Sequence, residues 1–582
     1  MKTKGILFLC LCMLLSCLCG CTSTETETKE SADTVIIGNI YTGNDNGDYV
    51  EALAVKDGVI VYAGDEEGVS AYEAAETVTL EEGQLVTAGF GDGHTHVAAV
   101  MTAMGDSTID LSASENKKLE EYIEIIEAYL QENPDQSVYV GKGWINSAFE
   151  NGCPTADILD ALCPGVPMMI SSADGHSYWV NSAMMELAGV TRDTAQPKGG
   201  KIEQYDNGEP NGCFRDTAMY MIKNALPFTS VEAYKEGIRK AQNLYASLGY
   251  TSYVEIISNE QSSPVNAPLL EAYEEMDQAG ELLMYVQGGF VLNNADDALD
   301  ALDVAIQLKE ETAGGNFELT TIKIYMDGVI EGATAYLSES YSHKADYYGA
   351  GRWTDDESKE LLKQIIVKAN EAGLIVHFHA IGDQAIADAV DCVEAAYEEA
   401  GDVIKESRNA ITHLQVVKEE DFDRLSDLNM VAVLNPWAFK AAGFYEETEV
   451  LFLGEERAEN EYPMQSFLQH NVTTSFGTDF GGSTIYEPLV SFHTLVTRTD
   501  NEDNPETTLK ASECLSTYEA IEAMTKNVAY QFHREDNAGT LEVGKSADLI
   551  ILSKDILTCP ANEIETAEVL RTMSQGSWIY GE

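Results

Sequence analysis

Apolar and polar positions change period along this chain, and the changes mark its elements. Near the start, Val35 to Thr42 and Ala52 to Gly64 are β-rich runs. Asp57-Gly58 interrupts the second, and that dipeptide between β-rich segments predicts a tight hairpin. The far end reads alike, with Leu549 to Leu552 and Trp578 to Tyr580 as strands. Two β-rich ends around a long centre predict one small sheet domain assembled from both termini.

The centre alternates helices with buried strands. Glu357 to Glu371 and Asp383 to Glu399 carry the helical period, whereas Leu374 to Val376, Val431 to Leu434 and Thr473 to Phe476 are short strand-like runs. Alternation over hundreds of residues implies parallel β/α units, in a closed barrel or a doubly wound sheet. No GxGxxG or Walker pattern follows a strand, which weakens the nucleotide-binding option. Between about 105 and 245 the pattern loosens around Gly199-Gly200 and Gly208, so an inserted subdomain is expected there.

Composition narrows the class. The chain has 582 residues, 44% of them hydrophobic and spread along the whole length, which excludes disorder. Against 98 Asp and Glu stand only 35 Lys and Arg, a formal charge of −63 that argues against a nucleic-acid partner.

The first residues speak to compartment. Lys2 and Lys4 precede the apolar run Ile6 to Leu18, too short for a good transmembrane span and laid out as a secretory signal. Leu18-Cys19-Gly20-Cys21 resembles the bacterial lipoprotein box, which implies acylation of Cys21, although Cys19 stands where Ala or Ser is usual. An ordinary cleaved signal is the competing reading. The expectation is a signal over 1–21, a polar tether over 22–33, and a mature protein lipid-anchored to a bacterial membrane on its extracytoplasmic side. Five of the 11 Cys fall in the signal. The other six are scattered and read as buried free thiols, with a Cys153–Cys163 bridge as the alternative.

The chemistry begins at His94-Thr95-His96. Residues two apart on a strand point to the same side, so both imidazoles reach one point, an arrangement that suits a divalent metal. Alone the pair is a weak signal. His379 and His413 each end a strand-like run, as does Asp479, and Lys323 lies in Leu319 to Tyr325. These positions are spaced in whole β/α units, which favours a barrel with its site at the C-terminal face.

These residues sit within longer motifs: Ala88 to His96, Asp174-Gly175-His176 to Ser182, Lys323 to Gly328 with Thr334-Ala335, His379 to Asp383, Thr412 to Gln415, Gly477-Thr478-Asp479, and Leu541 to Asp548. Together they resemble the amidohydrolase superfamily, and more narrowly its N-substituted formamide deformylase (YtcJ-like) branch, amidohydrolase family 3. The resemblance implies an α/β fold: a distorted (β/α)8 TIM barrel over 89–534, with the insertion at about 105–245, and a β-sandwich built from 34–88 and 535–582. It implies two divalent metal ions, zinc the expected species. His94 and His96 would hold one and His379 and His413 the other. Lys323, carbamylated by carbon dioxide, would bridge them, and Asp479 would be ligand and catalytic proton shuttle. The competing reading of Lys323 is an ordinary ion-paired lysine beside Asp327 or Glu331.

The sequence departs from the family pattern where Ala88-Gly-Phe-Gly91 replaces the usual Pro-Gly-Phe start, and where Ala333 stands in place of a frequent Arg. The second departure touches the substrate pocket. His176, Trp144 and Phe378 are candidates to line that pocket, and His377 shares the face of His379, although the resemblance places the ligand at His379. The expected activity is hydrolysis of an amide or cyclic amide, with a small-molecule substrate. Ester hydrolysis or deamination fits the same cradle, and a lipid-anchored solute-binding protein is the alternative of another class. A solute-binding protein has no use for ligand-type residues at successive strand ends.

Overall fold

Eight short, almost wholly buried segments form the frame that carries the site. The computed structural model describes residues 29–581 except 104–107, 115–117, 135, 146–147, 150–152, 174–176, 198–199, 217, 224, 227–228, 258–266, 293–297, 442–443 and 501–503. The signal, Cys21 and most of the tether therefore lie outside the described residues.

The frame strands are Phe90–Thr95 (β1), Tyr250–Ile257 (β2), Tyr285–Val291 (β3), Phe317–Tyr325 (β4), Ile375–Ala380 (β5), Ala410–His413 (β6), Val431–Leu434 (β7) and Thr473–Phe476 (β8). Each pairs in parallel with the next in this order. Burial on both faces favours near-continuous apolar runs such as Val431–Leu434, and the buried polar members of other strands, Asp92, His94 and Lys323 among them, belong to the closure or the site. Helices cover the outside. Asp356–Glu371 starts at a capping box of Asp355 and Ser358, and Asp383–Ala400 buries Ile386, Val390 and Val393 along one face.

The barrel closes between β8 and β1 mainly through side chains. The Asp92 carboxylate accepts from the Thr478 N–H at 2.9 Å, the Thr478 hydroxyl at 2.6 Å and the Tyr245 hydroxyl at 2.8 Å. Asp479 N–H donates to the His94 carbonyl at 2.7 Å. Gly477 lies so near β1 that a Cβ there would stand 2.7 Å from the His94 backbone nitrogen.

The insertion contains a six-stranded sheet between Ile109–Asp110 and Pro210–Asp216, with Trp144, Trp179 and Tyr122 in its core. Its end falls before the expected residue 245. Helix Val231–Leu248, capped by Ser230 and ended by Gly249 at φ 89°, packs on Val97–Ala103 and Ala267–Gln278 and so belongs to the barrel wall. The Cys153–Cys163 bridge does not form. Both are free thiols, and Cys153 faces the Asn211 amide at 3.6 Å.

Both chain ends build one eight-stranded sheet. Leu85–Ala88 pairs antiparallel with Leu549–Leu552, and the Asp57-Gly58 turn has the positive φ values (49° and 81°) that its hairpin demands. The first strand, Glu30–Tyr41, begins inside the stretch expected as tether, because residues 30–37 pair with Tyr72–Thr79. Its alternating residues feed two cores, with Val35 on one face and Ile36 on the other. Among the described residues no helix is long and apolar enough to cross a membrane.

Candidate active site

Strand ends bring the predicted residues together. His94 lies in β1 with His96 one residue beyond it; Lys323 and His379 lie near the ends of β4 and β5, His413 closes β6, and Asp479 follows β8. His94 Nε2 is 3.3 Å from Asp479 Oδ1 and 3.3 Å from Lys323 Nζ, and His96 Nε2 is 3.4 Å from the same carboxylate oxygen. Ligand-type atoms of His94, His413 and Asp479 all fall within 4.8 Å of one another. The His379 ring stands beside them, 4.4 Å from His413 between centroids.

Hydrogen bonds assign the free nitrogens of two rings. Asn435 donates its amide to the Gly477 carbonyl at 2.7 Å, so its Oδ1, 3.2 Å from His413 Nδ1, accepts a proton there and leaves Nε2 as a lone pair. His379 Nε2 stands 3.1 Å from the Gly328 carbonyl, which only accepts, so its Nδ1 is the free lone pair. Asp327 supports this corner. Its carboxylate accepts from the Ile381, Gly382 and Tyr336 N–H groups and sits 3.7 Å from His379.

Electrostatics agree with lone pairs rather than protons. Burial, with Lys323 next, brings both His94 and His379 down to about 3, and burial holds His413 well below the ordinary imidazole value. Burial also lowers Lys323 to about 7. It works to raise Asp479, but the bonds to His94 and His96 overrule it and keep that carboxyl well below its usual range. Neutral imidazoles, an ionised carboxylate and a lysine that sheds its proton near neutrality are a donor set for a divalent cation. The backbone is also constrained here: His413 and Asp479 adopt φ of 81° and 50°, costing about 1–3 kcal/mol each, as functional sites often do.

A cavity of about 760 Å³ opens over the cluster and is lined by His94, His96, His379, His413 and Asp479. Trp437, Phe439 and Phe444 form aromatic wall. The other pocket candidates go elsewhere. Trp144 is fully buried in the insertion core, its Nε1–H donating to the Ile170 carbonyl at 2.9 Å. Phe378 alternates to the face opposite His379 and is fully buried in the barrel core. His176 lies outside the described residues. His377 is buried and stacked on His94 at 4.9 Å, with neither ring nitrogen partnered among the described residues. Contributors that were not anticipated include Asn435, Glu449 and the aromatic wall of Trp437, Phe439 and Phe444. Asn435 had a signal, since it follows β7 just as the ligand candidates follow their strands.

The amidohydrolase family model matches residues 82–580. A putative amidohydrolase, YtcJ, of Bacillus subtilis (strain 168) is 28% identical over 547 residues, covering 93% of this chain and 98% of that one. The N-substituted formamide deformylase of Arthrobacter pascens is 26% identical over 569 residues, covering 94% and 98%. Among solved structures, an uncharacterized metal-dependent hydrolase from Pyrococcus horikoshii OT3 shares the fold with a TM-score of 0.72 at 23% identity, covering 91% of this chain and 99% of its own. With the whole barrel and the later strands of the terminal sheet, from Leu85–Ala88 onward, inside the match, the chain belongs to the amidohydrolase family, the hydrolases of carbon–nitrogen bonds.

Proposed function

We propose that the protein hydrolyses a small-molecule amide or cyclic amide at a paired divalent-metal site, with zinc as the metal. The observation that carries this reading is the convergence of ligand-type side chains: His94, His413 and Asp479 within 4.8 Å, His96 on the same carboxylate, and the free nitrogen of His379 beside them. His94 and His96 would hold one ion, and His379 and His413 the other. Lys323, as a carbamate, would add an anionic ligand, for which its lowered pKa supplies the neutral amine that carbon dioxide requires. Bound there, the ions supply Lewis acidity that acidifies water and polarises a carbonyl.

The chain's own residues do the rest. Asp479 offers one oxygen to the histidines, and Gly482, lacking a Cβ, leaves the second open. That second oxygen takes the proton of the attacking water and delivers it to the leaving nitrogen as the amide bond breaks. Asn435 and Asp327 hold His413 and the His379 corner in place. The aromatic wall excludes water from the reacting bond.

An amide-library screen of the metal-loaded protein tests this, with product analysis separating amide from ester and deamination chemistry. Turnover of some amide that stops on chelation and returns with zinc supports the reading; turnover that survives complete chelation contradicts it. We also propose that Cys21 carries a lipid that anchors the protein to the extracytoplasmic face of a bacterial membrane. This rests on Lys2, Lys4 and the apolar run Ile6 to Leu18 ahead of it. Cys21→Ala should leave unlipidated or unprocessed protein, and normal membrane-bound mature protein from that variant ends the claim.

A further inference from the structure

The cavity over the cluster has a charge pattern that amide hydrolysis alone does not require. Among the described residues its lining has no Lys or Arg, yet besides Asp479 it has the carboxylates of Glu331 and Glu449. Glu331 is exposed on the loop that follows β4. Glu449 comes from Tyr445–Val450, a π-helical turn after β7, the kind of irregularity that recurs at functional sites.

Glu449 is the informative one. It is only 6% exposed, lines the cavity, and has no hydrogen-bond or ion-pair partner among the described residues. Burial and the neighbouring Glu331 push its carboxyl up to about 8. Glu461, fully buried nearby, accepts from Gln415 through one oxygen and leaves the other unpartnered. Arg352 stands over the ring of Tyr325, another lining residue, at 5.5 Å, and two further cations are committed elsewhere. Lys440 pairs with Glu459 at 2.6 Å, and the Arg498 guanidinium donates to the carbonyls of Glu461, Tyr462 and Leu509.

A buried carboxylate without a partner is costly, and an incoming cation relieves that cost. The aromatic surfaces of Trp437, Phe439 and Phe444 line the same cavity, and aromatic faces attract cations as well. A chain of formal charge −63 also raises the local concentration of cationic ligands.

We propose that Glu331 and Glu449 bind a protonated amine, so that the preferred substrates are amides carrying an ammonium group away from the scissile bond. This rests on the amide-hydrolase reading, which sets what the rest of the cavity does. The test compares kcat/KM for N-(5-aminopentyl)acetamide and its neutral isostere N-hexylacetamide in metal-loaded wild type, Glu449→Gln and Glu331→Gln. The wild type should favour the cationic amide by about tenfold or more, and each variant should shrink that ratio while melting normally. An equal preference in wild type, or a ratio untouched by both variants, overturns the proposal. Titration with pentylammonium, read by calorimetry against 1-pentanol, separates the two readings should neither amide be cleaved. Saturable pentylammonium binding that weakens in both variants upholds the cation site without the hydrolysis; no preference over pentanol removes it.

Discussion

Asp479 has two demands on one side chain. It must face the histidines through one oxygen, 3.3 and 3.4 Å from His94 and His96, and keep another for a proton. An amide of the same shape can bind but cannot take up and return a proton. Asp479→Asn should therefore fold and keep most of its metal, while kcat falls by about 10²–10⁴-fold. Steady-state turnover of any accepted amide by the metal-replete variant decides this, and a loss under about tenfold removes Asp479 from proton transfer. At this scale the ligand candidates were readable because each ends a strand. Glu449 was not readable: Glu446-Glu447-Thr448-Glu449 has the appearance of a solvated acidic run, and only the turn's packing buries its last member. Trp144 and Phe378 failed for a related reason, since an aromatic residue in a core and one on a pocket wall carry the same apolar signature.

Strands and their closure carry the site's precision. Asp92 ties β1 to the segment after β8 through two bonds from Thr478, and it also accepts from the Tyr245 hydroxyl and from the His94 N–H at 3.2 Å. Asp92→Asn keeps the volume but replaces one acceptor oxygen with a donor. It should destabilise the metal-free protein by about 1–3 kcal/mol, read as a shift of the urea midpoint; an unchanged midpoint refutes this account of closure. The limits of β7, β8 and Leu549–Leu552 were legible to the residue, because runs of four rich in β-branched residues are too short for a helix. The edge of the insertion was not. The period of Val231–Leu248 identifies a helix, but it is the same whether that helix packs on an insertion or on a barrel. Asn435 was passed over although it obeys the strand-end rule, since a lone amide has no characteristic spacing to reinforce it.

Across the whole molecule, the terminal sheet and barrel are joined rather than merely adjacent. The Thr572 hydroxyl donates to the Ala246 carbonyl of the barrel helix Val231–Leu248 at 2.7 Å, and Met573 beside it is fully buried in the sheet's core. Met573→Ala should lower the stability of a single unfolding transition by about 2–5 kcal/mol. Calorimetry that resolves separate sheet and barrel transitions contradicts this coupling. If side chains from β1, β4, β5, β6 and the end of β8 converge to hold divalent metal, elemental analysis will count it. Purified wild type, His94→Asn and Lys323→Ala would be loaded with zinc, desalted and compared at equal folded content. The wild type should hold two zinc ions per chain, with a loss in both variants that acetate partly restores in Lys323→Ala. Full zinc content in both variants, or none in the wild type, contradicts it.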